Sequence, residues 1–190
     1  MQSKILKDIA EIIAGFTFRG ALKNDPNGKM QVLLAKNINE DGTVAYSELT
    51  KINLDPPRTN AFVSKSDVLL SSRGVFRSGV FDKEAKDIIA ASSMFILRIA
   101  DKNILPEYLS IYLNSEIGQN GIKKILTGST IKTILRRTLE KLEVPVPSLA
   151  VQEQIVAISS NWNKREKLLN QKINLSKNIA EGAIKQLLTN

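Results

Sequence analysis

No proline follows Pro147, and from there the chain carries one continuous helical pattern. Val151, Ile155, Ile158, Trp162, Leu169, Ile173, Ala180, Ile184 and Leu187 recur about every 3.6 residues, the period of an α-helix. Arg165 or Glu166, and then Ser176, fill the two gaps in that series. Ser148 is placed to cap the first turn, Glu153 lies near the positive end of the helix dipole, and Gly182 is the weak point. At about 1.5 Å per residue the helix runs to about 60 Å. That exceeds the width of what precedes it, so the helix is expected to project, and its stripe needs a partner helix. The candidate interface is Trp162, Leu169, Ile173, Ala180, Ile184 and Leu187.

Upstream the pattern is one of short segments. Ile5, Leu6, Ile9, Ile12 and Ile13 predict an amphipathic helix over Lys4 to Ala14, stopped by Gly15. Met30–Ala35, Ala61–Val63, Asp67–Ser71, Val75–Val80, Ile88–Ala91 and Met94–Ile99 read as strands between Pro-, Gly- and Asn-rich turns. From Pro106 the helical period returns through Leu109, Tyr112, Leu113 and Ile117. A further segment opens at Gly128 and runs to Leu142, and Pro145-Val146-Pro147 reads as a stiff extended connector. The expected architecture is α+β: a mixed-sheet domain over 1–147, then one long coiled-coil-type helix over 148–190.

Composition narrows the chemistry. The 190 residues contain no cysteine and no histidine, which excludes zinc fingers, His-ligated catalytic zinc, Ser-His-Asp triads and thiol nucleophiles. The absence of cysteine suits a reducing cytoplasm, and no stretch approaches the ~18 apolar residues of a membrane span. A soluble cytoplasmic protein is expected. The formal charge of +8, with a pI near 9.7, favours a polyanionic partner, nucleic acid above all. The charge is gathered: Lys123, Lys124, Lys132, Arg136, Arg137 and Lys141 face a single acid, Glu140, and Arg58, Lys65, Arg73 and Arg77 face only Asp67.

Several motifs invite a chemical reading. Asp55-Pro56-Pro57-Arg58 resembles the Asp/Asn-Pro-Pro-aromatic motif of amino-methyltransferases, but arginine replaces the ring and no glycine-rich cofactor loop follows a first strand. Glu84 and Lys86, with Asp67 or Asp82, have the residue types of a metal-dependent nuclease site, in a loop where such triplets arise by chance. Gly15 to Gly20 and Gly74 to Gly79 have phosphate-loop spacing without the Lys-Ser or Lys-Thr that must follow. Gly128-Ser129-Thr130-Ile131-Lys132 offers hydroxyls, a cation and the amides of a starting helix to a phosphate. Arg73 and Arg77, in a turn with Ser71, Ser72 and Ser78, have the fork that reads guanine. Each has a plain alternative as a solvated turn or helix cap.

In order, these pieces resemble the specificity subunit of type I restriction-modification systems. The resemblance is carried by Asp8 to Gly20, Ser66 to Gly74, Leu105 to Leu109, Tyr112 to Ser115, Gly128-Ser129-Thr130, Leu142 to Leu149 and Gln152-Glu153-Gln154-Ile155. It implies a non-catalytic subunit, without cofactor, that binds double-stranded DNA and positions adenine methyltransferase subunits and a translocating nuclease. Each recognition domain of that family reads half of a split target, and long antiparallel helices set the spacing. Full subunits have two domains and two helices; this chain has one of each. It therefore looks like a half-subunit that pairs as a homodimer on an interrupted palindrome. Arg73, Arg77, Lys132, Ser129 and Thr130 are the first candidates for DNA contact, and Arg19, Thr17 and Arg58 follow. The competing expectation is an adaptor or inhibitor that binds methyltransferase subunits through the helix and never reads DNA.

Overall fold

The computed structural model describes residues 2–189, which divide into two compact units, 2–153 and 154–189. Four small sheets build the first unit. Its strands are β1 (Gln2–Ile5), β2 (Ala10–Ala14), β3 (Met30–Leu33), β4 (Thr50–Ile52), β5 (Val68–Ser71), β6 (Ser78–Val80), β7 (Ile88–Ala90), β8 (Met94–Ile99), β9 (Leu126–Thr127), β10 (Thr133–Ile134) and β11 (Glu143–Val146). Helices α1 (Pro106–Asn114), α2 (Glu116–Lys124) and α3 (Arg136–Leu139) complete it, and α4 (Leu149–Thr189) starts at its end. The fold is α+β with a mixed set of strands, the class expected.

The central sheet has the order β2-β8-β5-β6 and is antiparallel throughout. A second sheet, β4-β3-β7, pairs β3 with β7 in parallel. Strand alternation divides the side chains of this second sheet between two clusters. Leu33, Ile88 and Ala90 face the main core, where Ile13, Leu69, Phe81, Met94 and Ile96 of the central region meet them. Met30, Val32, Ile52 and Ile89 face the other way, against Phe16, Phe18, Leu22 and Phe62. Helix α1 covers β5 and β6. There the Asn114 amide clamps the edge strand, with Oδ1 accepting from the Ser78 amide and Nδ2 donating to its carbonyl, both at 2.8 Å.

The helix expected over 4–14 is instead β1, a short 3-10 turn at Leu6–Asp8, and β2. Eleven residues make a marginal helix in isolation, and two strand partnerships win: β1 with β11, and β2 with β8. Ile12 and Ile13 are both buried because both faces of β2 are covered. The Pro145 connector is likewise part of an edge pair, with Pro145 opposite Ser3. Two phenols hold it there: Tyr108 Oη donates to the Pro145 carbonyl at 2.7 Å and Tyr112 Oη to the Glu143 carbonyl at 2.8 Å. Burial pushes both phenols above their usual pKa. Ala61–Val63 makes only an isolated bridge, Phe62 to Ile89, and of Val75–Val80 only Ser78–Val80 is strand.

Helix α4 begins where expected, and its first turn is anchored by Gln152, which is fully buried. The Gln152 side chain accepts from the Leu105 amide at 2.9 Å and donates to the carbonyls of Asn103 at 2.7 Å and Pro147 at 2.9 Å. In the second unit, Ile158, Trp162, Leu169, Ile173 and Ile184 are 57–71% exposed. No described helix is long and apolar enough to cross a membrane.

Candidate nucleic-acid interface

Antiparallel pairing puts the ends of β2 and β5 and the starts of β8 and β6 on one rim of the central sheet. That rim carries the segment after Ala14, the Ser92-Ser93 turn, and the loop from Ser72 to Arg77. Backbone hydrogen bonds fasten them in series. The Ser92 amide donates to the Phe16 carbonyl at 2.8 Å, and the Ser72 amide to the Ser93 carbonyl at 2.8 Å. The Ile134 amide then donates to the Ser72 carbonyl at 2.9 Å, which brings in the β9–β10 hairpin. Arg73 and Thr133 form an antiparallel bridge, and the Gly74 amide donates to the Lys132 carbonyl at 3.3 Å. Two loops about sixty positions apart in sequence thus become one paired structure.

The local sequence explains both loops. Ser71 is fully buried, and its hydroxyl accepts from the Arg77 amide at 2.8 Å while donating to the Val75 carbonyl. This cinches 72–77 into a tight turn and keeps Val75 and Phe76 out of β6. Gly74 takes a φ of +73° that other residues avoid. In the hairpin Gly128 has φ +91°, and a Cβ there would lie 2.4 Å from the Ile131 carbonyl oxygen. Gly128-Ser129-Thr130 therefore forms a hairpin turn rather than the start of a helix; α3 begins only at Arg136. The expected phosphate cradle of helix amides is absent from this position. The hairpin feet are basic instead, with Lys123 and Lys124 closing α2 and Arg136 and Arg137 opening α3.

Arg73, Ser129, Thr130 and Lys132 are all exposed at this junction. Thr17 and Arg19 follow Phe16, whose amide donates to the Ala90 carbonyl at 2.7 Å. Arg58 precedes Ala61, whose carbonyl accepts from the Ala90 amide at 2.9 Å. Phe16 and Ala61 therefore both dock on the chain just before the Ser92-Ser93 turn. Arg77 differs from the others: its guanidinium is paired with Glu40 and reaches the Ile38 carbonyl at 3.5 Å.

The two ends of the central sheet differ electrostatically. At the far end two cations are paired with carboxylates. Arg98 grips Asp67 through Nε at 3.0 Å and Nη2 at 2.8 Å, and that partner raises the guanidinium pKa further. Lys4 meets Asp101 at 2.6 Å and holds its carboxyl below the usual carboxylate range. By contrast, Arg19, Arg58, Arg73 and Lys132 form no ion pair among the described residues, while Arg77 pairs with Glu40 and Arg136 with Glu140. Unpaired cations attract an anion at little desolvation cost.

The carboxylates considered for metal chemistry have separate partners: Asp67 holds Arg98, Asp82 accepts from Tyr46, and Glu84 meets Lys65 at 3.5 Å. Hydrogen bonding to Asp82 and burial raise the Tyr46 phenol pKa, burial being the larger cause. Asp55 and Arg58 lie exposed in an open loop. Sequence reasoning assigned no separate role to the Ser92-Ser93 turn, to the Asn114 side chain or to Val75 and Ile131, whose exposure the structure shows.

Residues 1–176 match the family model for the type I restriction modification DNA specificity domain. The specificity subunit of the MjaVIII type I restriction enzyme of Methanocaldococcus jannaschii is 24% identical over 127 residues, which cover 67% of this chain and 29% of that protein. Among solved structures, the S subunit of a type I restriction-modification system from M. genitalium aligns with a TM-score of 0.59 at 20% identity. That match covers 90% of this chain and 41% of the other. The HsdS subunit of Thermoanaerobacter tengcongensis aligns with a TM-score of 0.60 at 16% identity, over 90% of this chain and 39% of that one. The chain thus spans well under half the length of these relatives, and the structural likenesses speak to fold.

Proposed function

The chain belongs to the family of type I restriction modification DNA specificity domains, and from that premise we propose that it reads one part of a split duplex DNA target for a type I restriction-modification complex, without catalysing a reaction itself. The observation that carries this reading is the pairing of the Arg73 loop with the β9–β10 hairpin, at a junction where Arg73 and Lys132 form no ion pair among the described residues. A two-stranded ribbon is narrow enough to enter a major groove. In this reading Arg73 contacts a base edge, while Lys132, Ser129 and Thr130 hold phosphates and fix the register. Thr17, Arg19 and Arg58 extend the contact along the rim. Arg77, engaged with Glu40, holds the 38–42 segment against the loop and contacts DNA only if it exchanges that partner.

The division of labour follows the chain: residues 1–147 recognise DNA, and residues 148–190 dock and space. The stripe of Trp162, Leu169, Ile173, Ala180, Ile184 and Leu187 pairs with the same helix of a second copy, and the pair then addresses a palindrome with a gap. The stripe's exposure supports a partner helix. Adenine methyltransferase and translocating nuclease subunits complete the assembly.

Selection of bound sequences from a random duplex library, with the chain alone and with a methyltransferase subunit from the same source, tests the proposal. Enrichment of a split palindrome is expected. One short unsplit site would keep DNA reading and remove the homodimer. No enrichment in either condition would leave the helix as an adaptor for methyltransferase subunits.

A further inference from the structure

Two apolar side chains stand out in the cationic rim. Val75 is 67% and Ile131 64% exposed, while Ile134, the other β-branched hydrocarbon side chain of the paired loops, is buried. Both flank one contact. The Gly74 amide meets the Lys132 carbonyl; Val75 is the residue after Gly74, and Ile131 the residue before Lys132. Single exposed apolar residues are ordinary on a protein surface. Two β-branched ones converging on the same junction, each on a loop held by a glycine with positive φ, are less so. Their branched Cβ also leaves few rotamers to lose when they are covered.

Resting on the DNA reading above, we infer that Val75 and Ile131 are specificity-determining residues that contact thymine C5-methyl groups in the major groove. The methyl of thymine is the one apolar feature among the base edges there, and the minor groove has no equivalent. Arg73, two residues before Val75, and Lys132, directly after Ile131, supply the charge that brings the junction to the phosphates. The read part of the target therefore contains at least one A·T pair whose thymine faces this junction, beside the position that Arg73 reads.

The test uses the full chain and the duplex it selects, with thymines replaced one at a time by deoxyuridine, which lacks only the methyl. Loss of one buried methyl should weaken binding about fourfold at one or two positions. That difference should vanish in Ile131→Ala or Val75→Ala, whose circular dichroism should match the parent because both side chains lie outside the core. A selected target without A·T pairs in the read part overturns the inference and leaves DNA reading intact. So does indifference to deoxyuridine at every position, or sensitivity undiminished in both variants. Failure to select any duplex overturns the DNA reading, and this inference with it.

Discussion

Replacing Gln152 probes how the first turn of α4 is joined to the rest of its unit. Its side-chain amide satisfies three backbone groups at once: the Leu105 amide, at the start of α1, and the carbonyls of Asn103 and Pro147. The residue is fully buried, so in Gln152→Ala these groups lose their partner without full access to water. One buried unsatisfied group costs about 1–3 kcal/mol. Taking the low end for each, because the vacated space admits some water, gives about 3 kcal/mol. That is a large share of the ~5–15 kcal/mol by which a domain is stable. Gln152→Glu keeps the acceptor for Leu105 but turns a carboxylate oxygen toward two carbonyls, and should cost at least as much at neutral pH. Repulsion raises the folded pKa of that carboxyl, so the cost should shrink as pH falls through it and a proton restores one donor. Amide exchange read at Leu105, with urea unfolding of the first unit, measures both effects. A loss under about 1 kcal/mol in both variants, with Leu105 still protected, would refute the reasoning.

Other outcomes follow from the same structure. Gly128→Val should distort the hairpin tip at a local cost of about 1–3 kcal/mol, lowering duplex affinity while the amide exchange of β5 and β8 stays unchanged. The Lys4–Asp101 pair depresses the Asp101 pKa, so its contribution is present at neutral pH and fades as pH falls through that lowered value. The stability gap between the parent and Lys4→Met should therefore close in strong acid, and an equal gap at neutral and acid pH would contradict the pairing. Trp162→Glu should shift sedimentation toward monomer, weakening self-association by about 3 kcal/mol or more if the stripe is the interface.

Legibility in the sequence followed the physical source of each element. β3, β5, β7 and β8 are dense apolar runs between turn residues, and they appear at or near the expected positions. The terminal helix was visible because nothing in its sequence competes with the helical period. The 4–14 segment misled because Ile5, Ile9, Ile12 and Ile13 suit a helix face as well as a strand, and the choice is made by β11 and β8, far away in sequence. β4 has only three residues and no run to see. At 128–134 the β-branched Thr130, Ile131, Thr133 and Ile134 already favoured extended chain, whereas the helix reading followed the hydroxyls after Gly128. The candidate residues could be named from the sequence but not their juxtaposition: the Arg73–Thr133 bridge and the Gly74-to-Lys132 hydrogen bond show that Arg73 and Lys132 share a junction.

The most direct test of DNA reading by the paired loops is library selection run side by side on the parent, Arg73→Ala and Lys132→Ala, at two salt concentrations. Arg73→Ala should relax one position of the selected sequence at a cost of about 1–3 kcal/mol. Lys132→Ala should leave the sequence unchanged, weaken binding to all duplexes alike, and reduce the salt slope by about one. Parent and variants that select the same sequence with equal affinity and equal salt dependence would place DNA recognition elsewhere on the chain.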